Sequence, residues 1–89
     1  MLENSITIIN KLGLHARAAA KLVSTASTYS SKVKISFNDK EVDGKSIMSV
    51  MMLAACQGSE ITLKVDGHDE EAAMDAIIDL INDYFGEGE

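Results

Sequence analysis

The chain has no tryptophan, no proline, one cysteine and only four aromatic residues among its 89 positions. The single cysteine, Cys56, excludes an intramolecular disulfide and any cysteine-based metal cluster. It reads as an ordinary reduced thiol near a helix end, and the reducing cytoplasm is the expected compartment. No run of eighteen apolar residues is present, so no membrane-spanning helix is expected. The opening Met1-Leu2-Glu3-Asn4 lacks a basic segment followed by an apolar core, so no secretory signal is expected. Basic residues are scattered and aromatics scarce, which argues against nucleic acid as a partner. Repeats, linkers and low-complexity segments are lacking too.

What is present is an ordinary globular composition. An apolar share of 46 % over 89 residues fits one domain, residues 1–89, with a single modest core. The net charge of −6 conceals an asymmetry: residues 69–89 carry eight acids and no base, whereas residues 1–68 carry six acids and eight bases. The mildly basic part includes Lys11, Arg17, Lys21 and Lys45. Such a set suits an anion-handling face turned toward acidic partners, although scattered, solvated lysines have the same signature.

Periodicity divides the chain into strand, helix, strand, strand, helix, strand, helix. The first strand is expected over about Ser5 to Asn10, with Ile6 and Ile8 on one face. A helix is expected from Ala16 to Thr28, where Ala19, Leu22, Val23 and Ala26 share a face. Lys32 to Phe37 alternates, which turns Val33, Ile35 and Phe37 inward. Asn38-Asp39 reads as a hairpin turn into a short strand over about Lys40 to Val42. A second helix is expected over Ile47 to Ala54, closed by Gly58, and Glu60 to Val65 alternates again. The last helix follows Gly67, with Asp69 as N-cap and Glu70 and Glu71 near the positive end of its dipole. Its apolar face comprises Ala73, Ala76, Ile77, Leu80, Ile81 and Tyr84. Glu71, Asp75, Asp79 and Asp83 recur every four residues as a solvated stripe, and the end from Gly86 to Glu89 is expected to fray. This pattern implies an α+β chain in two layers, three helices on one face of a four-stranded antiparallel sheet. Periodicity leaves the strand order open.

The chemistry concentrates in Asn10-Lys11-Leu12-Gly13-Leu14-His15-Ala16-Arg17-Ala18-Ala19-Ala20-Lys21-Leu22. Here a strand runs through a glycine turn into an alanine-rich helix, and His15 and Arg17 stand at the helix mouth. The first N–H groups of a helix have no intrahelical partners and carry the positive end of its dipole, so phosphate is a natural guest. His15 supplies a ring nitrogen able to act as a nucleophile near neutral pH, and Arg17 a planar fork suited to phosphate oxygens. The leading reading is that His15 carries a phosphoryl group. A histidine at this place also serves as a plain cap or surface residue.

Gly13-Leu14-His15-Ala16-Arg17, with Gly44-Lys45-Ser46-Ile47-Met48 about thirty residues later, resembles the HPr phosphocarriers of the bacterial phosphoenolpyruvate–sugar phosphotransferase system. The resemblance covers nearly the whole chain. It implies an open-faced β-sandwich with spatial strand order 1-4-2-3. It also implies that His15 accepts a phosphoryl group on Nδ1 from phosphorylated Enzyme I and passes it to sugar-specific enzyme IIA components. The backbone of Ala16, Arg17 and Ala18 and the Arg17 side chain would hold the phosphate, with no metal and no cofactor. On that reading the chain is a carrier rather than a free-standing enzyme, and a monomer. One departure stands out: the family usually has proline directly after the arginine, where this chain has Ala18. Alanine keeps the helix and restores an N–H, so a slightly less rigid working site is expected.

Ile47 to Ala55 is unusually apolar for a short surface helix. On a helical wheel Val50 and Leu53 take one side, while Ile47, Met48 and Met51 take the other. The second group is expected to be exposed as a docking patch beside His15, although Met48 or Met52 filling gaps in the core is the alternative. Ser46 sits where an N-cap belongs. The resemblance implies that it can also be phosphorylated by an ATP-dependent HPr kinase/phosphorylase. His68 reads as a surface residue. Three other functions stay in view: a regulatory HPr paralogue of a nitrogen-type or serine-signalling branch, a small acyl-phosphate hydrolase, and a plain interaction module. The hydrolase would need a glycine-rich loop before a helix, which the sequence lacks.

Overall fold

In the computed structural model, which describes residues 1–86, the elements are β1 (Leu2–Thr7), α1 (Ala16–Ser27), β2 (Lys32–Phe37), β3 (Lys40–Asp43), α2 (Ile47–Met52), β4 (Glu60–Asp66), α3 (Glu70–Asn82) and a 3-10 turn over Tyr84–Gly86. The fraying expected for the C-terminal end lies, beyond Gly86, outside the described residues. All strand pairs are antiparallel, in the order β1-β4-β2-β3. That is the order implied by the family resemblance.

Alternation builds the sheet. Val33 and Ile35 on β2 and Ile61, Leu63 and Val65 on β4 are buried on one face, under the helices. Lys32, Lys34, Thr62 and Lys64 take the other face. The register sets Lys34 opposite Lys64, and Glu41 on β3 relieves this like-charge pair by accepting from Lys64 Nζ at 3.0 Å. Asn38 and Asp39 both adopt positive φ, 51° and 64°, as a two-residue type I′ hairpin requires.

The first strand lies further toward the N-terminus than its hydrophobic pattern predicts. Leu2 pairs with Val65 and Thr7 with Glu60, so the length of β4 sets the limits of β1. Ile8 follows the strand, fully buried, and still exchanges backbone bonds with the 58–59 segment: its N–H donates to the Ser59 carbonyl at 2.8 Å and its carbonyl accepts from Gly58 at 2.8 Å.

The three helices lay their apolar faces on the sheet. α1 buries Ala18, Ala19, Leu22, Val23 and Ala26, which adds Ala18 to the expected face. α3 buries Ala73, Met74, Ile77 and Ile81, while Glu71, Asp75, Asp79 and Asp83 are exposed as expected. Full burial of a side chain such as Leu22, Ile35, Leu63 or Ile77 contributes about 1.5–3 kcal/mol each.

Three local expectations need correction. Tyr84 is exposed and Phe85 is fully buried, because the chain turns into positive φ at Tyr84 (56°) and Phe85 (53°) and leaves the helical register. Helix α2 stops at Met52, and Ala54 has φ 56°, which ends the helix before Gly58 is reached. Gly58 instead sits in a turn closed by the Ser59 N–H on the Cys56 carbonyl at 2.9 Å. Asp69 occupies the N-cap position of α3 but makes no side-chain bond to its own helix. Its carboxylate accepts from the Ser30 and Ser31 N–H groups, both at 2.9 Å, and from both serine hydroxyls. Glu70 accepts from the Gly67 N–H at 3.2 Å, ahead of the helix.

Candidate functional site

The loop ahead of α1 is drawn tight by Asn10, whose role no pattern in the sequence marks. Asn10 is fully buried, and its Nδ2 donates to the Gly13 carbonyl at 2.8 Å while the Gly13 N–H returns a bond to the Asn10 carbonyl at 3.2 Å. Gly13 has φ 63°, and a Cβ there would stand 2.5 Å from the Ala55 carbonyl oxygen and 2.7 Å from Cys56 Cα. Only glycine fits without displacing that backbone. The next residue, Leu14, is buried and donates its N–H to the same Ala55 carbonyl at 2.9 Å. The chain thus reaches His15 pinned to the segment that leaves α2.

His15 takes the N-cap position of α1 with extended backbone (φ −73°, ψ 178°), half-buried, and its imidazole does not cap the helix. The first helical bond runs from the Ala19 N–H to the His15 carbonyl at 2.8 Å. The N–H groups of Ala16, Arg17 and Ala18 therefore precede the bonded ladder, at the positive end of a twelve-residue helix. Ala16 and Arg17 are exposed, and the Ala18 methyl is buried in the core. The first turn of α1 thus combines three backbone donors outside the ladder with an exposed arginine and a half-buried histidine. Such a set can bind phosphate and bring it to a ring nitrogen.

Of the four cations expected on this side, Lys11 and Arg17 are exposed. Lys21 and Lys45 are half-buried and tie the scaffold together. Lys21 Nζ donates to the Phe85 carbonyl at 2.7 Å, anchoring the 3-10 turn to α1. Lys45 Nζ donates to the Tyr29 carbonyl at 2.8 Å, just beyond the C-terminal end of α1, where a cation is favoured by the helix dipole.

These ties orient α2. Its start, with Lys45 and Ser46, thus lies toward the far, C-terminal end of α1, while its exit at Ala55 adjoins the loop that carries His15. Ser46 is the N-cap, with φ −120° and ψ 114°, and its Oγ accepts from the Ser49 N–H at 3.4 Å. Val50 and Leu53 enter the core, and Ile47, Met48 and Met51 are exposed as expected. Met52 and Leu12 are exposed as well. Met52 follows Met48 by one helical turn, a spacing visible in the sequence; Leu12 gave no comparable signal. The alternative in which Met48 or Met52 fills the core does not occur.

Among the described residues no group of three or more His, Cys, Asp or Glu side chains is arranged to hold a metal ion, and no helix is long and apolar enough to cross a membrane. Cys56 is exposed, with Sγ 3.6 Å from Ser59 Oγ, and His68 is exposed at the start of α3.

A family model described as the PTS HPr component phosphorylation site matches residues 2–83. The chain is 61 % identical over 89 residues to the phosphocarrier protein HPr of Neisseria meningitidis serogroup A, covering all of both sequences. Among solved structures it resembles HPr from Thermoanaerobacter tengcongensis, with a TM-score of 0.94, 48 % identity and 98 % of each chain covered. It also resembles an HPr dimer from the same organism, with a TM-score of 0.79, 48 % identity, and 98 % of this chain and all of that one covered.

Proposed function

The chain belongs to the HPr family of phosphotransferase-system phosphocarriers, and from that premise we propose that His15 is the residue that carries the phosphoryl group. Phosphorylated Enzyme I, charged from phosphoenolpyruvate, is the donor, and sugar-specific enzyme IIA components are the acceptors. A P–N bond forms to Nδ1 of His15 as the P–N bond of the donor's phosphohistidine breaks. The N–H groups of Ala16, Arg17 and Ala18 and the Arg17 guanidinium balance the charge on the transferring group. Docking of the two proteins supplies the orientation, so the domain is a carrier with no turnover of its own. The proposed compartment is the cytoplasm.

The observation that carries this reading is the head of α1. His15 stands at the N-cap of a twelve-residue helix, ahead of three N–H groups outside the helical ladder, in a loop fixed by Asn10, Gly13 and Ala55. Ile47, Met48 and Met51, on the helix whose exit adjoins that loop, form the docking surface for both partners. The proposed form is the monomer. Ser46 is a control point for an HPr kinase/phosphorylase: two negative charges there suit the start of α2 and oppose an acidic partner.

Intact mass after incubation with phosphoenolpyruvate and Enzyme I tests the reading, with His15→Ala alongside. The expected outcome is one acid-labile phosphate on the wild-type chain and none on the variant. A chain that gains no phosphate from an active, related Enzyme I would be a regulatory relative working through Ser46.

A further inference from the structure

Helix α2 carries three methionines within five positions, and they differ in exposure. Met48 and Met52 are each 70 % exposed, Met51 is 38 % exposed, and Met74 on α3 is only 4 % exposed. Met48 and Met52 are one turn apart, so their side chains neighbour each other on the outer ridge of the helix. Val50 and Leu53 hold the opposite side in the core, both nearly fully buried. Met52 lies three residues before Ala55, whose carbonyl holds the Leu14 N–H next to His15. The two most accessible thioethers of α2 thus stand on the ridge that runs toward the phosphoryl site.

We infer that Met48 and Met52 are a reversible oxidation site, at which conversion to methionine sulfoxide switches off docking without altering the phosphate-holding turn. The inference rests on the docking role proposed above for α2. The reaction needs a peroxide as co-reactant. The thioether sulfur donates an electron pair to one peroxide oxygen, an S–O bond forms as the O–O bond breaks, and the other oxygen leaves as water. Sulfur is oxidised by two electrons and the peroxide is reduced by two. The product replaces an adaptable apolar side chain with a polar, chiral one, which disfavours desolvation against a partner. Neither residue fills the core, so the fold is untouched. Reversal requires two sulfoxide reductases, one for each epimer, with a dithiol as reductant: the sulfoxide oxygen leaves as water and the dithiol is oxidised to a disulfide.

The test starts from Cys56→Ser protein, which removes the thiol as a competing target. Hydrogen peroxide is titrated in, and peptide mass spectrometry locates the added oxygens while circular dichroism follows the fold. Oxygen is expected on Met48 and Met52 before Met51, with Met74 protected. The rate of phosphoryl acceptance from Enzyme I, taken as treated over untreated, is expected to fall about tenfold, the size of effect that loss of a main interface contact has. It should recover on treatment with both reductases. In a Met48→Leu/Met52→Leu variant the same ratio should stay near one, whatever that variant's own starting rate.

An unchanged ratio in protein carrying both sulfoxides would overturn the inference. So would an equal fall in the double variant, early oxidation of Met74, or a loss of rate that tracks loss of helical signal. Untreated protein that accepts no phosphate would instead bring down the proposed function, and the switch with it.

Discussion

Gly13 shows how one residue can hold a site that it does not chemically serve. Its φ of 63° and its approach to the Ala55 carbonyl leave no room for a methyl group. Gly13→Ala is therefore expected to destabilise the fold by about 2 kcal/mol or more, adding left-handed strain to a clash. Urea unfolding measures this, and a midpoint equal to wild type would mean that the 10–14 loop moves freely against α2. The glycine and histidine were legible in the sequence, since a glycine turn entering an alanine-rich helix has few structural meanings. Asn10 was not. Its side chain acts on a carbonyl three residues away inside the core, and no periodicity marks that. Lys21 and Lys45 misled for a related reason: a lysine written in sequence is a charge, whereas these two spend a donor on a backbone carbonyl. Ala18 lies in the first turn of α1, and its buried methyl serves the core there.

At the scale of an element, α2 combines a core edge and an exposed ridge in six residues, behind the Ser46 cap. Ser46→Asp separates the two roles proposed for Ser46. Aspartate also caps a helix well and suits its positive end, so folding should hold, while transfer to His15 should slow through weakened docking. Rates of phosphoryl acceptance from Enzyme I read this out, and an unchanged rate would remove the regulatory role. Ser46→Ala is the companion control, expected to lose about 1 kcal/mol of capping without adding charge. The split of α2 into buried and exposed sides followed from its wheel, because Val50 and Leu53 are one helical spacing apart. Its end did not, because Ala54 enters the left-handed region without being a glycine. The same failure recurs at Tyr84 and Phe85. A pattern of 3.6 residues per turn assigns faces only while the helix lasts, and there the chain leaves the helix one residue before the aromatic pair.

At the scale of the whole molecule, distant segments are locked by few groups, and Asp69 is the clearest. It joins the start of α3 to the turn between α1 and β2. Hydrogen bonds from Ser31 and Ser30 hold its carboxyl at about 2, below the ordinary value of 3.8. The folded state therefore binds fewer protons here than the unfolded state, and this group's contribution is complete above the ordinary value. It is lost as the pH falls from there toward 2. In Asp69→Asn that portion of the acid loss should vanish, seen as a shallower fall in urea midpoint than wild type between pH 4 and pH 2, a window set by those two values. Parallel curves would show that the serine clamp contributes nothing to folding. The alternating strands, the amphipathic α1 and α3, the acidic outer stripe and the histidine at a helix mouth were all determined by the sequence itself. Each depends on spacing within one segment, and spacing is what a sequence records. The limits of β1, the reach of Asp69 to the turn between α1 and β2, the burial of Phe85 and the pinning of the His15 loop to Ala55 were decided only by tertiary structure. In each, a partner distant in the chain offers a hydrogen bond or a cavity, and the local sequence carries no trace of where that partner will be.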